Sequence, residues 1–132
     1  LYTRWYENGQ KMAVGSYKDG KENGLQANWY ESGQKKLEYS SLSDKKDGLY
    51  YEWYENGQKR WEISYKNGKK DGLSTGWYEN GQKDFEQTYK DRMIDGTYTK
   101  WYENGQKKWE YTYKGGMTLS SKNWNEDGSV KE

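Results

Sequence analysis

Five carboxylates recur at one position of the sequence, each directly before an Asn-Gly or Ser-Gly pair: Glu7, Glu31, Glu55, Glu79 and Glu103. Two carboxylates can act as general acid and general base only where desolvation or a neighbouring charge separates their pKa values. Glycine-containing turns are solvated, so we expect a structural role for all five glutamates. The chain also has no His and no Cys, the usual proton carrier and the strongest nucleophile. We therefore expect no catalytic residue and no enzyme.

Two acidic segments, DKKDG and NEDGSVKE, are the candidates for a metal site. Neither has the ligand spacing of a calcium-binding loop, and the absence of Cys excludes zinc-thiolate sites. We expect no metal and no cofactor. The lack of Cys leaves the compartment open, since some secreted proteins also lack it.

The composition restricts the fold and the partners. Mean hydropathy is only -1.57, yet 8 Trp and 15 Tyr can each bury on the order of 150 Å². The 22 basic and 21 acidic residues are interleaved, so no stripe of one sign is available to bind nucleic acid. No apolar run approaches the roughly 18 residues that a transmembrane segment needs. The sequence predicts a folded protein whose apolar surface is aromatic.

One heptapeptide, WYENGQK, is written five times with little change. Its tryptophans are Trp5, Trp29, Trp53, Trp77 and Trp101, a constant step of 24 residues, and a degenerate copy follows from Trp124. Such a period predicts a tandem array in which each unit stacks on its neighbours. We expect one repeat domain over residues 1–132, with five hairpin units and a C-terminal cap from about residue 117. The opening LYTR matches the stretch before Trp in later copies, so the chain is expected to begin inside a repeat.

Each unit alternates as two short strands do, for example GLYYEWYE (48–55) and QKRWEISY (58–65). Asn-Gly and Asp-Gly pairs between them are typical of tight hairpins. The sequence therefore predicts an all-β fold, an elongated and twisted antiparallel meander of tandem hairpins. Two connections, SLSDKK (41–46) and KDRMID (90–95), lack the glycine, and irregular geometry is expected there.

The length of the first turn decides which side chains share a face. A three-residue loop, Glu55 to Gly57, would place Trp53 opposite Lys59, Tyr51 opposite Trp61 and Leu49 opposite Ile63. All large apolar groups would then lie on one face. In this interpretation the five repeated tryptophans, together with Trp61 and Trp109, form the structural core.

The tyrosine after each tryptophan must then point to the opposite face: Tyr6, Tyr30, Tyr54, Tyr78 and Tyr102. These rings either cover neighbouring backbone or form a recognition surface. The positions flanking Trp on that face differ from copy to copy: Gln26, Asn28, Tyr50, Glu52, Ser74, Gly76, Tyr98 and Lys100. From both sets, the predicted binding residues are the five tyrosines with Tyr50, Tyr98 and Lys100.

The heptapeptide, with Y-K-N/D-G and D-G-L downstream, resembles the MORN repeat variant of many bacterial proteins. The resemblance covers nearly the whole chain and implies an elongated sheet of successive hairpins. Proteins with this variant include the YwqK-type antitoxins, which are thought to neutralise a toxin. The abundance of Trp departs from the usual variant.

Three functions are compatible with these features. The first is a non-enzymatic protein-binding scaffold, with an antitoxin or immunity protein of the bacterial cytoplasm as its concrete form. The second is a carbohydrate-binding or choline-binding module at the cell surface, and the third is a structural segment of a longer surface protein, each requiring a secretion signal. Pairing between copies through the sheet edges is a further expectation, with Lys122, Glu126, Asp127 and Lys131 suited to block the C-terminal edge.

Overall fold

The computed structural model describes residues 1–132 and contains eleven β-strands and no helix. The strands are β1 (Tyr2–Trp5), β2 (Lys11–Lys18), β3 (Lys21–Trp29), β4 (Lys35–Leu42), β5 (Lys45–Trp53), β6 (Lys59–Lys66), β7 (Lys69–Trp77), β8 (Lys83–Lys90), β9 (Met93–Trp101), β10 (Lys107–Lys114) and β11 (Met117–Asn123). They form one open antiparallel sheet in which the spatial order follows the chain. The predicted all-β meander is confirmed.

The sheet is a single layer and encloses no core. Only 11 of 132 residues are buried, and the buried hydrophobic side chains are those of Ala13, Ala27 and Ile63. No tryptophan is among them, and Trp5 is 57% exposed. The other seven tryptophans lie half-buried on the sheet surface instead of inside a closed core.

The first turn of each unit has the predicted form. Tyr54 donates its backbone N–H to the Gln58 carbonyl at 2.9 Å, which leaves Glu55, Asn56 and Gly57 as the loop. Gly57 has a φ of 86°, the left-handed conformation that glycine adopts without steric cost. Trp53 consequently lies opposite Lys59, as the loop length requires.

One residue further along, a β-bulge changes the register. Arg60 has no partner, so Trp61 lies opposite Glu52 and Ile63 opposite Tyr50. The predicted pairs of Tyr51 with Trp61 and Leu49 with Ile63 are therefore wrong. A bulge places two residues of one strand opposite one residue of its neighbour, which reverses the faces of the two strands relative to each other. The same shift occurs in all five units.

The second turn of each unit is a two-residue turn with both residues at positive φ, as in type I′ hairpins. Asn67 and Gly68 have φ of 52° and 81°. The connections without glycine adopt the same geometry, with Asp44 at 66° and Arg92 at 71°. The expectation of irregular loops was wrong. Non-glycine residues carry a steric cost there instead, about 1 kcal/mol or more for each.

Successive first turns are tied to one another by side chains. The Asn Nδ2 of one turn donates to the Glu carbonyl of the next, as Asn56 does to Glu79 at 3.1 Å and Asn80 to Glu103 at 3.0 Å. The Asn8 and Asn104 amides make the same bond. Ser32 replaces Asn in the second unit and bonds only within its own turn, where it accepts from the Gln34 N–H at 3.4 Å.

Completing this row at Ser32 is expected to stabilise the chain. Ser32→Asn provides the missing donor toward the Glu55 carbonyl and should raise the free energy of unfolding by about 0.5–1.5 kcal/mol, toward the lower end because the turn is exposed. The midpoint of urea denaturation measures the change. Asn80→Ser is the matched control and should lower the midpoint by a similar amount. An unchanged midpoint in both variants would contradict the role assigned to the amides.

Candidate binding surface

The two faces of the sheet differ in chemistry. One face carries the row of Tyr50, Ile63 and Ser74, and the adjacent row of Glu52 and Trp61; we call it the tyrosine face. The tryptophan face carries the repeated tryptophans, since Trp53 stacks on Tyr51 with ring centroids 5.7 Å apart. Large apolar groups occur on both faces, in contrast to the one-sided arrangement expected from the sequence.

On the tryptophan face, lysines and indoles alternate across the hairpins. The Lys35 Nζ lies 6.0 Å from the Trp29 ring and 5.9 Å from the Trp53 ring. The corresponding contacts in the other units are Lys11 with Trp29, Lys59 with Trp77, Lys83 with Trp101 and Lys107 with Trp124. Each such contact contributes about 0.5–1 kcal/mol at an exposed site. The indoles therefore stabilise the array by joining one hairpin to the next.

The charges of the tryptophan face are compensated within the chain. Lys35 pairs with Glu38 at 2.5 Å, and Lys59 with Glu62 at 2.6 Å. Equivalent pairs join Lys83 to Glu86 and Lys107 to Glu110. Because four of these five lysines pair with a carboxylate as well as contacting an indole, Lys11 being the exception, little unpaired charge is left beside the indoles for a partner.

The five predicted binding tyrosines are structural ties. The phenol of Tyr54 donates to the Trp77 carbonyl at 2.7 Å, and that of Tyr78 to the Trp101 carbonyl at 2.7 Å. The Tyr6, Tyr30 and Tyr102 phenols donate in the same way to the carbonyls of Trp29, Trp53 and Trp124. All five rings are half-buried. The hydroxyls are occupied, so only the ring faces and edges are free for contact.

Burial raises the pKa of several phenols on the tyrosine face. It raises the pKa of Tyr78 to about 12, with the nearby Asp84 carboxylate acting in the same direction. The pKa of Tyr39 is raised to about 12 by burial and then by Glu22, and that of Tyr50 is raised by burial and by its hydrogen bond to Glu52. The cause is the cost of a buried phenolate.

The bulge residues place charges beside the tyrosine rings. The Arg60 guanidinium lies 5.5 Å from the Tyr54 ring and 4.5 Å from the Trp61 ring, and it pairs with Glu52 at 3.3 Å. Lys36 and Lys108 lie over Tyr30 and Tyr102, both at 5.5 Å. Sequence reasoning missed these residues because it placed no bulge. GLYYEWYE carries aromatic residues in both phases of its alternation, so the pattern could not reveal the shift.

A cluster of three tyrosine rings surrounds one lysine on the same face. The Lys46 Nζ lies 5.2 Å from Tyr39, 5.2 Å from Tyr50 and 5.4 Å from Tyr65. This is the geometry of an aromatic cage for a cation. Here the chain supplies the cation itself.

The remaining predicted residues lie on the tyrosine face with unequal exposure. Tyr50 and Tyr98 are half-buried, and Tyr98 makes an edge contact with Trp109 at 4.6 Å. Lys100 pairs with Asp84 and lies 5.7 Å from the Tyr78 ring. Of the other variable positions, Gln26, Ser74 and Gly76 are buried and Asn28 and Glu52 are half-buried. The variation among repeats therefore serves packing as well as the outer surface.

The structure contains no helix that is long and apolar enough to cross a membrane. No group of three or more acidic side chains is arranged to hold a metal ion.

Removing one phenol tie is expected to weaken the array. Tyr54→Phe deletes the donor to the Trp77 carbonyl and should lower the free energy of unfolding by about 0.5–1.5 kcal/mol. Tyr51→Phe is the matched control, because its phenol makes no hydrogen bond while its ring stacks on Trp53. Urea denaturation measures both variants. An equal effect of the two substitutions would refute the tie.

Alkaline pH is expected to destabilise the fold by ionising the phenols of Tyr39 and Tyr78. The folded pKa of Tyr39 and Tyr78, about 12, lies above the unfolded value of about 10. The folded state therefore binds the proton more tightly, and its stability is full below about pH 10 and is lost as pH rises from about 10 to 12. Urea midpoints measured across this range should fall. In Tyr78→Phe the fall should be shallower, and a slope equal to that of the parent chain would argue against the assignment.

Comparison with known proteins gives one family. The family model described as MORN repeat variant matches residues 1–19, 46–67, 70–91 and 94–114. The curated proteins contain no significant match. Residues 20–45 fall outside the match, yet they form the same hairpin as the other units, with a Ser in place of the turn Asn. Since the matched segments make up more than half of the chain, this protein belongs to the MORN repeat variant family.

Proposed function

We propose that the chain is a non-enzymatic scaffold that binds a partner protein through its tyrosine face. The observation that carries the proposal is the half-buried aromatic row of this face, which no other layer of the chain covers. Tyr98 with Trp109, and Trp109 with Tyr111, form contacts at 4.6 and 4.9 Å. Rigid aromatic surfaces give contact area at low entropic cost.

The charges support the choice of face. On the tryptophan face, the lysines are compensated by glutamates three residues away. On the tyrosine face, Lys36, Lys46 and Lys108 have no carboxylate partner and lie against rings instead. Aromatic and cationic groups together are enriched at the centres of protein interfaces.

As the concrete form of this function we propose an antitoxin or immunity protein that neutralises a toxin in a bacterial cell. The resemblance to YwqK-type antitoxins supports this role. A rigid array can block a toxin by covering its active surface, with no chemistry of its own. Localisation would then be cytoplasmic.

The alternative is a cell-surface module that binds carbohydrate or choline. The cage of Tyr39, Tyr50 and Tyr65 is the feature that favours it, since such cages accept quaternary ammonium groups. Lys46 occupies the cage, so an external cation would have to displace a tethered one. A structural segment of a longer surface protein is the third possibility.

The experiment is co-expression with a toxin-like reading frame from the same gene neighbourhood. The parent chain is expected to restore growth, and Tyr50→Ser combined with Tyr98→Ser should abolish the rescue. Leu49→Ser combined with Leu73→Ser is the matched control. These side chains are exposed on β5 and β7, which hold the same place in their repeats as β5 and β9, the strands of Tyr50 and Tyr98. They point to the opposite face of the sheet. The control should rescue like the parent chain.

Circular dichroism must show that both double variants remain folded. Rescue by the tyrosine-face variant, or loss of rescue in both variants with the fold intact, would refute the assignment to this face. Binding of choline by the parent chain, measured by a saturable change in tyrosine fluorescence, would favour the surface alternative.

A further inference from the structure

The two-residue turns of successive hairpins are joined by backbone hydrogen bonds. In three of the four junctions the second turn residue donates its N–H to a carbonyl of the preceding hairpin: Asp44 to Glu22 at 3.0 Å, Gly68 to Lys46 at 2.8 Å and Gly116 to Ile94 at 3.0 Å. In two junctions the first turn residue also donates to an aspartate, as Asn67 does to Asp47 and Gly115 to Asp95.

One junction breaks this pattern. By the repeat, Arg92 should donate to the Lys70 carbonyl and Asp91 to the Asp71 carboxylate, and neither bond is present. The turn of Asp91 and Arg92 therefore does not close onto the hairpin before it. Both residues have positive φ, 49° and 71°, and Arg92 stands where Gly68 and Gly116 stand in the neighbouring turns.

An open cleft of about 220 Å³ lies at this junction. Its lining includes four cations, Lys66, Lys69, Lys70 and Arg92, and two carboxylates, those of Asp71 and Asp91. None of the four cations forms an ion pair within the chain, because all six ion pairs of the structure involve other residues. The two unused N–H groups belong to consecutive turn residues, an arrangement that favours anions.

We propose that this cleft binds a carboxylate group presented by an acidic segment of a protein partner. The proposal rests on the proposed function for the source of the anion, whereas the site itself is a property of the chain alone. The free N–H groups of Asp91 and Arg92 donate to the carboxylate oxygens, and the surrounding lysines supply the charge. Charge-assisted bonds of this kind are about twice as strong as neutral ones.

The mixed charge of the lining selects the ligand. The four cations and two carboxylates leave a net charge of +2, and Asp71 and Asp91 repel a dianion more than a monoanion. A carboxylate side chain is therefore preferred over a phosphate monoester. Several acidic residues in sequence would also meet the unpaired Lys45 and Lys46, which line the next cleft along this edge with Arg92.

The test is a titration of the isotope-labelled chain followed by backbone amide resonances at constant ionic strength, with a hexaglutamate peptide and inorganic phosphate as separate probes. The amides of Asp91 and Arg92 are expected to shift saturably with the peptide. The amides of Gly115 and Gly116 are the internal control and should stay in place, since their N–H groups are already bonded.

Two variants complete the test. Lys69→Gln should weaken the peptide response several-fold. Lys21→Gln should leave the response unchanged, because Lys21 begins β3 as Lys69 begins β7 but lies outside the cleft. Arg92→Gly should weaken the response several-fold, because it removes one of the four cations of the cleft. It should also raise the thermal midpoint, because glycine adopts this turn conformation without strain.

Each other outcome overturns the proposal. No saturable shift with either probe, or equal shifts at all five two-residue turns, would remove the site. A response to phosphate without one to hexaglutamate would refute the acidic polypeptide as the source. Because no partner is present in the titration, a failure here is separate from a failure of the growth-rescue experiment.

Discussion

The structure depends on hydrogen bonds that join each hairpin to the next, made by side chains of one short motif. A single-layer sheet has no interior that could gather the apolar groups of distant segments. Stability must come from contacts between neighbours, as in other repeat arrays. The phenol of Tyr54 on the Trp77 carbonyl and the amide of Asn56 on the Glu79 carbonyl are such contacts. The heptapeptide recurs because each copy supplies hydrogen-bond donors to the next copy and carbonyl acceptors to the preceding one.

The two faces of the sheet have different properties. On the tryptophan face, Lys35 lies between Trp29 and Trp53 and pairs with Glu38, so that ring, cation and carboxylate are used within the chain. On the tyrosine face, large and small residues alternate across strands. A Cβ on Gly76 would lie 2.3 Å from the Phe85 ring, so this glycine makes room for the aromatic group opposite it. Packing thus fixes part of the variation among the repeats.

The departures from the repeat are as informative as the repeat itself. Where a rule of local structure is broken without compensation, the cause is often functional. Ser32 loses one amide bond at an exposed turn, with no strained conformation at that residue. At Asp91 and Arg92, by contrast, two backbone donors, a strained conformation and unpaired cations occur together. The second kind of departure forms a site, whereas the first does not.

The sequence by itself determined the fold class, the hairpin units and the first turn. Strict periodicity, strand alternation and the Asn-Gly signal act locally, so Trp53 was correctly placed opposite Lys59. Only the tertiary structure decided the faces. The bulge at Arg60 depends on neighbouring strands, and GLYYEWYE is aromatic in both phases, so Trp61 and Ile63 were assigned to the wrong side. The open junction at Arg92 was equally hidden, because hydrogen bonds between adjacent turns arise only when hairpins stack.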